Sequence, residues 1–194
     1  MSLDPVSNGR EAMSAAAMGV PGPLFAGTVH VWFLDCPGST DPRYLELLDD
    51  EERGRAMRLR TPEQRDAFTA AHALVRTALS AYGGCTPAAW RYAFSPVGRP
   101  SVAEAAELSF SLTHAGPRAA VAVGAGQPLG LDLEPVRPER DSLPLARRFF
   151  GPAETDWLTG LPARERSAGF AALWTVKEAV LKARGCGLTE PLRS

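Results

Sequence analysis

Lysine is almost missing from this chain. Of 21 basic residues only Lys177 and Lys182 are lysines; the rest are arginines, which carry a rigid fork of donors rather than a flexible point charge. Cysteine is also scarce. Cys36, Cys85 and Cys186 form an odd set without a CxxC spacing. That excludes a disulfide framework and a cysteine-built zinc site, and fits free thiols in a reducing, cytoplasmic setting. Net charge is close to absent at −1, so no global pull toward nucleic acid or a membrane surface exists. No apolar run approaches the ~18–20 residues that span a bilayer. Residues 1–27 do not read as a signal peptide, because Asp4, Glu11 and several Pro and Gly residues interrupt them. A disordered leader is expected there.

What is present suits one globular domain of 194 residues, or two small halves sharing a core. "TVHVWFLD" predicts a strand, and "DPRYLELLDDEERGRAMRL" predicts helix in two pieces. "TPEQRDAFTAAHALVRTALSAYGG" predicts a long helix, capped by Thr61, with Pro62 in its first turn and glycines at its end. Strands are expected at "AWRYAFSP", "LSFSLTHA", "RAAVAVGAG" and "PLGLDLEPV". Two short helices, "LPLARRFF" and "PAETDWLTG", then lead into a long helix from about Glu165 to Arg184. The order hints at a repeat. A shift of 102 positions lays Phe68 on Phe170, Leu79 on Leu181 and Gly83 on Gly185. A leader 1–27, a first half 28–125 and a second half 126–194 follow from this.

The long second helix poses a question in "WTVKEAVLKARG". With about 100° per residue, Leu181 falls about 20° to one side of Trp174, and Glu178 and Lys182 about 40° and 80° to the other. Ala179, Ala183 and Val176 lie beyond them, while Lys177 and Arg184 occupy a sector expected to face solvent. A charged pair flanked by apolar residues is either an exposed i,i+4 ion pair or a carboxylate and ammonium at the mouth of a site. The helix alone leaves both open.

"GLDLEP" bears on the choice. On a strand Asp132 and Glu134 share one face, Leu131 and Leu133 the other. Two carboxylates about 6–7 Å apart repel by about 2.5 kcal/mol at an effective dielectric near 20. Half buried, such a pair calls for a proton or a cation. Oxygen ligands without Cys or His favour Mg²⁺ or Mn²⁺, and Glu178 is available as a third. A plain strand with a wet face gives the same pattern. In "SFSLTHAG" Ser109, Ser111 and Thr113 share a face and His114 stands at the exit beside Ala115 and Gly116, where a phosphate could approach. Arg99 in "VGRP" and the run Arg53, Arg55, Arg58, Arg60 offer phosphate partners, or a solvated helix face.

Taken in order, "GRP", "FSLTHAG", "GLDLEP", "RRFFGPAE" and "WTVKEAVLKARGCGL" resemble the motifs of the 4′-phosphopantetheinyl transferase superfamily, in its surfactin-type branch. The resemblance runs from about Thr28 to Leu192 and is weakest before Ala67. It implies an α+β fold made of a pseudo-two-fold pair of similar α/β halves, with coenzyme A in the cleft between them. It implies Mg²⁺-dependent transfer of phosphopantetheine from coenzyme A to a serine of an apo carrier protein, with release of 3′,5′-ADP. By match to the motifs, Asp132, Glu134 and Glu178 would be the metal-binding acids, Lys182 the lysine near the transferring phosphate, and Thr113 with His114 the contact to the 3′-phosphate. Arg99 matches the basic residue of the preceding turn, and Arg53 and Arg55 fall near basic residues that approach the nucleotide. Glu178 is a candidate base for the serine hydroxyl, directly or through water, and Glu154 a second one.

The branch continues some tens of residues beyond the position of "GLTEPL", so the second half is expected to be incomplete. Two rivals follow. One is a silent coenzyme A or carrier-protein binding module of the same ancestry. The other is a metal-dependent phosphoesterase, for which spare metal ligands are few. The internal pseudo-dimer argues for a monomer, and the carrier partner is expected to be acidic.

Overall fold

The computed structural model describes residues 22–35, 41–103, 105–139 and 141–185. Cys36, Cys186, most of the expected leader and the last nine positions lie outside them. Within the described part of the leader, Leu24 packs on the core and Thr28 N donates to Phe25 O.

The chain runs β1 (Val29–Asp35), α1 (Arg43–Leu47), α2 (Asp50–Met57), α3 (Pro62–Gly83), β2 (Tyr92–Phe94), β3 (Pro100–Val102), β4 (Leu108–Ala115) and β5 (Arg118–Ala125). Three helices close it: α4 (Leu143–Phe149), α5 (Pro152–Gly160) and α6 (Ala163–Arg184). This is a mixed α+β architecture. Helix α3 begins as its sequence dictates. Thr61 and Gln64 form a reciprocal capping box, Pro62 occupies the first turn, and Gly84 ends the helix at φ 68°.

β1, β5 and β4 form an antiparallel sheet in that order, with β5 central. Its inner face packs on α3. Leu74, Val75, Ala78 and Leu79 meet Trp32, Phe110, Val121 and Val123, and all eight are buried. The far edge of the Trp90 indole abuts Gly83, where a Cβ would come within 2.1 Å of it. β2 and β3 make a short separate hairpin, turned at Gly98 with φ 82°. A second apolar cluster gathers α4, α5 and α6 around Ala146, Phe150 and Leu158, with Phe170 and Trp174 stacked over it.

Three expectations change. Residues 128–136 form no strand. They join no ladder, and side chains satisfy backbone groups of Leu129 and Leu131 instead. Ser111 Oγ accepts from Leu131 N, Lys182 Nζ donates to Leu131 O, and Arg99 donates to Leu129 O. Lys177 does not face solvent. Its ammonium pairs with Glu154 at 2.8 Å and lies over the Phe150 ring, which ties α6 to α5. Val176, expected beside the apolar face, is instead 62% exposed.

Candidate functional site

The unpaired segment and α6 touch backbone to backbone. A Cβ on Gly130 would stand 1.7 Å from Ala179 O and 2.7 Å from Ala183 N. Only glycine allows this approach, and it sets Asp132 opposite the turn of α6 that carries Glu178 and Lys182. Arg99 staples the junction, donating to Ala183 O at 2.8 Å on one side and Leu129 O at 3.4 Å on the other. A cation on the last carbonyls of α6 also suits the negative end of that helix. Gly130→Ala is therefore expected to lower stability by about 1–3 kcal/mol through overpacking, read by thermal unfolding, and to depress activity further by spreading the acids.

A cleft of about 410 Å³ opens at this junction, lined by Thr113, His114, Asp132, Glu134, Arg137 and Lys182 among others. Thr113 and His114 arrive on the end of β4, and the turn at Gly116 clears space beside them. Asp132 is the hub. Its Oδ1 accepts from Lys182 Nζ at 2.7 Å and from Thr113 Oγ1 at 3.2 Å. Lys182 thus pairs across the chain with Asp132, and the exposed i,i+4 pair with Glu178 is not what this helix makes.

Two buried oxygens are left over. Asp132 Oδ2 and Glu178 Oε1 are shielded from water and accept no hydrogen bond. The Glu178 carboxyl is pushed up from the ordinary carboxylate range, by burial first and then by the Asp132 charge; Lys182 opposes this and Glu134 adds to it. A site that crowds carboxylates and orphans two of their oxygens fits a hard cation. Among the described residues no three of His, Cys, Asp and Glu stand close enough to hold a metal by themselves. That suits Mg²⁺, which keeps waters and phosphate oxygens in its shell.

His114 stands at the rim. Its imidazole is pushed below the usual histidine range by loss of solvent first, then by electrostatic repulsion from His72 and Lys182. A second cavity of about 160 Å³ adjoins the cleft through Glu134, Pro135 and Arg137 and is floored by Phe170, Ala171 and Trp174.

The other expected residues fall elsewhere. Arg53 is held by Asp50 and Leu45 O, and Arg55 by Glu51 and the face of Phe94. Neither lines the cleft. Arg99 spends its guanidinium on the junction described above. Glu154 caps α5 by accepting from Gly151 N and pairs with Lys177. Burial raises its pKa, but Lys177 and the Gly151 amide outweigh that and hold it below the ordinary value. An engaged carboxylate of this kind is a poor base, so Glu154 acts as a tie between helices. Arg137, which lines both cavities, was missed; its only signal is an arginine just past the paired acids, in "EPVRP".

Acids, an ammonium and an imidazole line one cleft, a donor and acceptor set able to receive a phosphate together with a cation. A family model described as the 4′-phosphopantetheinyl transferase superfamily matches residues 128–194. The chain is 36% identical over 172 residues to the 4′-phosphopantetheinyl transferase HetI of Nostoc sp., covering 86% of this chain and 73% of that protein. It is 28% identical over 164 residues to the 4′-phosphopantetheinyl transferase Sfp of Bacillus subtilis strain 168, covering 84% of this chain and 72% of that protein. The chain belongs to this superfamily and has its activity, 4′-phosphopantetheinyl transfer.

Proposed function

We propose that this transferase takes phosphopantetheine from coenzyme A, delivers it to a serine of an acidic apo carrier protein, and requires Mg²⁺. The two orphaned buried oxygens at this junction, Asp132 Oδ2 on the cleft lining and Glu178 Oε1 outside it, carry the reading. Asp132, Glu134 and Glu178 would contribute ligands, with phosphate oxygens and waters needed to complete the shell, since the three acids do not form a closed site by themselves. When bound, Mg²⁺ supplies positive charge to the pyrophosphate as it cleaves.

The chain's own groups do the rest. The serine oxygen attacks the phosphorus that bears the pantetheine, the bond from that phosphorus to the ADP oxygen breaks, and 3′,5′-ADP leaves. Lys182 neutralises charge that builds on the leaving side. Its ammonium reaches Leu131 O as well as Asp132, which pre-aims it at the cleft. Glu178 accepts the serine proton, directly or through water. Thr113 and His114 take the 3′-phosphate at the rim.

The halves 28–125 and 126–194 would be related by a pseudo-two-fold. The matching long helices α3 and α6, each ended by a glycine in the left-handed region, support this. A chain that contains its own dimer would act as a monomer. No helix among the described residues is long and apolar enough to cross a membrane. Coenzyme A chemistry and free Cys85 suit a cytoplasmic location.

Intact-mass spectrometry of an apo carrier protein tests the reading. Incubation with this chain, coenzyme A and Mg²⁺ is expected to add one phosphopantetheinyl group, and EDTA is expected to abolish the gain. Modification that persists in EDTA would remove the metal from the scheme.

A further inference from the structure

Lys182 sits where phosphate binding alone does not require it to sit. An ammonium that meets a phosphate needs only to reach the cleft. This one is seated on Asp132 Oδ1 at 2.7 Å, with a second bond to Leu131 O at 3.1 Å. Thr113 Oγ1 donates to the same carboxylate oxygen at 3.2 Å. The Asp132 side chain is only 8% exposed, while that of Lys182 keeps 33%. One oxygen of Asp132 is thus fully engaged, and the other, Oδ2, accepts nothing. One turn back on α6, Glu178 Oε1 is buried and also lacks a donor.

A buried carboxylate needs a positive partner, and Lys182 gives Asp132 one without any metal. The same pairing works against a dication. A metal drawn to Asp132 and Glu178 meets the ammonium on the neighbouring oxygen, and two cations on one carboxylate repel. The ammonium has somewhere else to go. Two of its three donors are used by Asp132 and Leu131, its stem is four flexible carbons, and it lines the same cleft as Thr113 and His114. A pyrophosphate in that cleft offers oxygens that compete with Asp132 for it.

We propose that Lys182 is a built-in counter-ion that holds the metal off Asp132 until the phosphates of coenzyme A arrive. The proposal rests on the reading of Asp132 and Glu178 as metal ligands. Before coenzyme A binds, the ammonium keeps Asp132 in place and opposes the dication. Afterwards it passes to the phosphate oxygens, and Asp132 is released to the metal. Metal and coenzyme A then bind with positive cooperativity, because each favours the arrangement that the other needs. One lysine sets the order in which the site is assembled, in addition to its part in the transfer.

The test is calorimetric titration of the full chain with Mn²⁺, first alone and then with coenzyme A present, after subtraction of Mn²⁺ binding to coenzyme A itself. Without coenzyme A, Lys182→Ala is expected to bind Mn²⁺ about tenfold more tightly than wild type. Saturating Mg²⁺ should then raise the thermal midpoint of the variant about 3–5 °C more than that of wild type. Lys182→Met keeps the stem without the charge; it is the second variant if the first does not fold, and the same gain is expected. With coenzyme A bound, the difference in Mn²⁺ affinity should close. Equal Mn²⁺ affinity in wild type and variants without coenzyme A overturns the proposal. Weaker binding by the variants does so too, since it marks Lys182 as a residue that merely positions Asp132. So does a lack of Mn²⁺ binding by every form without coenzyme A, since Lys182 is then not what excludes the metal. Carrier modification that persists in EDTA is a separate failure, that of the metal reading itself.

Discussion

Glu178→Gln is expected to lower the rate of carrier modification at least about 100-fold, or about 2.7 kcal/mol of transition-state stabilisation. The substitution keeps the shape of the side chain and removes its charge. It deletes a metal ligand and a proton acceptor together, so the whole loss should appear in kcat as well as in kcat/KM. Stability should not fall with it. Glu178 Oε1 has no hydrogen-bond partner to lose, and its charge is opposed by burial and by Asp132. A glutamine there relieves repulsion, so the thermal midpoint is expected to hold or rise. Lys182→Ala is expected to cost a similar factor in rate, but for a different reason. It strands the buried Asp132 carboxylate without its 2.7 Å partner, so stability should fall as well. Initial rates by intact mass, paired with thermal unfolding, separate the two. Near-normal turnover in either variant sinks the assignment.

Arg76→Leu is expected to give the largest stability loss in the molecule, about 3–5 kcal/mol. The guanidinium is inaccessible to water and serves two carboxylates and two main-chain carbonyls at once. Its removal leaves Glu52 buried beside His72 with no permanent cation, and leaves the Pro87 and Trp90 carbonyls unpaired. For a chain of this size the loss corresponds to a drop in the thermal midpoint of roughly 10 °C or more. Adding Glu52→Gln should recover part of it, since the orphaned charge then disappears; the pair should be clearly non-additive. Chemical denaturation of the single and double variants measures this. Additive losses would mean that the network is not the cause.

The elements that the sequence revealed are those whose signals are local. Thr61, Pro62 and the glycines bound α3, and Gly185, at φ 73°, ends α6. The alternation in "LSFSLTHA" marks β4 to the residue. The segment around Asp132 shows the limit of that signal. Alternation reports an extended chain with two faces; it does not report whether a neighbour strand supplies hydrogen bonds. Here Ser111, Lys182 and Arg99 supply them, from 20 or more positions away in sequence. Lys177 misled for a related reason, because a helical wheel assigns a sector to solvent without knowing that α5 packs there.

Motif matching was surest where the motif is the chemistry and weakest where one residue type serves two ends. Thr113, His114, Asp132, Glu134 and Lys182 meet in one cleft, and Glu178 lies outside its lining but within reach of the Asp132 charge. Glu154 matched an acidic position, yet a glutamate three residues into a helix is also a capping residue, and that is how it is used. The buried cluster was legible and passed over. Arg76 interrupts the apolar run "HALVRTAL" just as Glu178 interrupts its own helix, and Asp49 with Glu52 spells a capping box. The same question asked of both helices would have singled out both.

The backbone contact at Gly130 has a consequence for anyone redesigning this enzyme. It works as a fixed gauge between the loop of Asp132 and the helix of Glu178 and Lys182, with no side chain in between to be trimmed or enlarged. Libraries that vary the rim at Ala115 or Arg137 can reshape what enters the cleft without resetting that gauge. Substrate scope and catalytic power should therefore be separable in directed evolution, with position 130 held out of the library as the one residue on which both halves of the chemistry are calibrated.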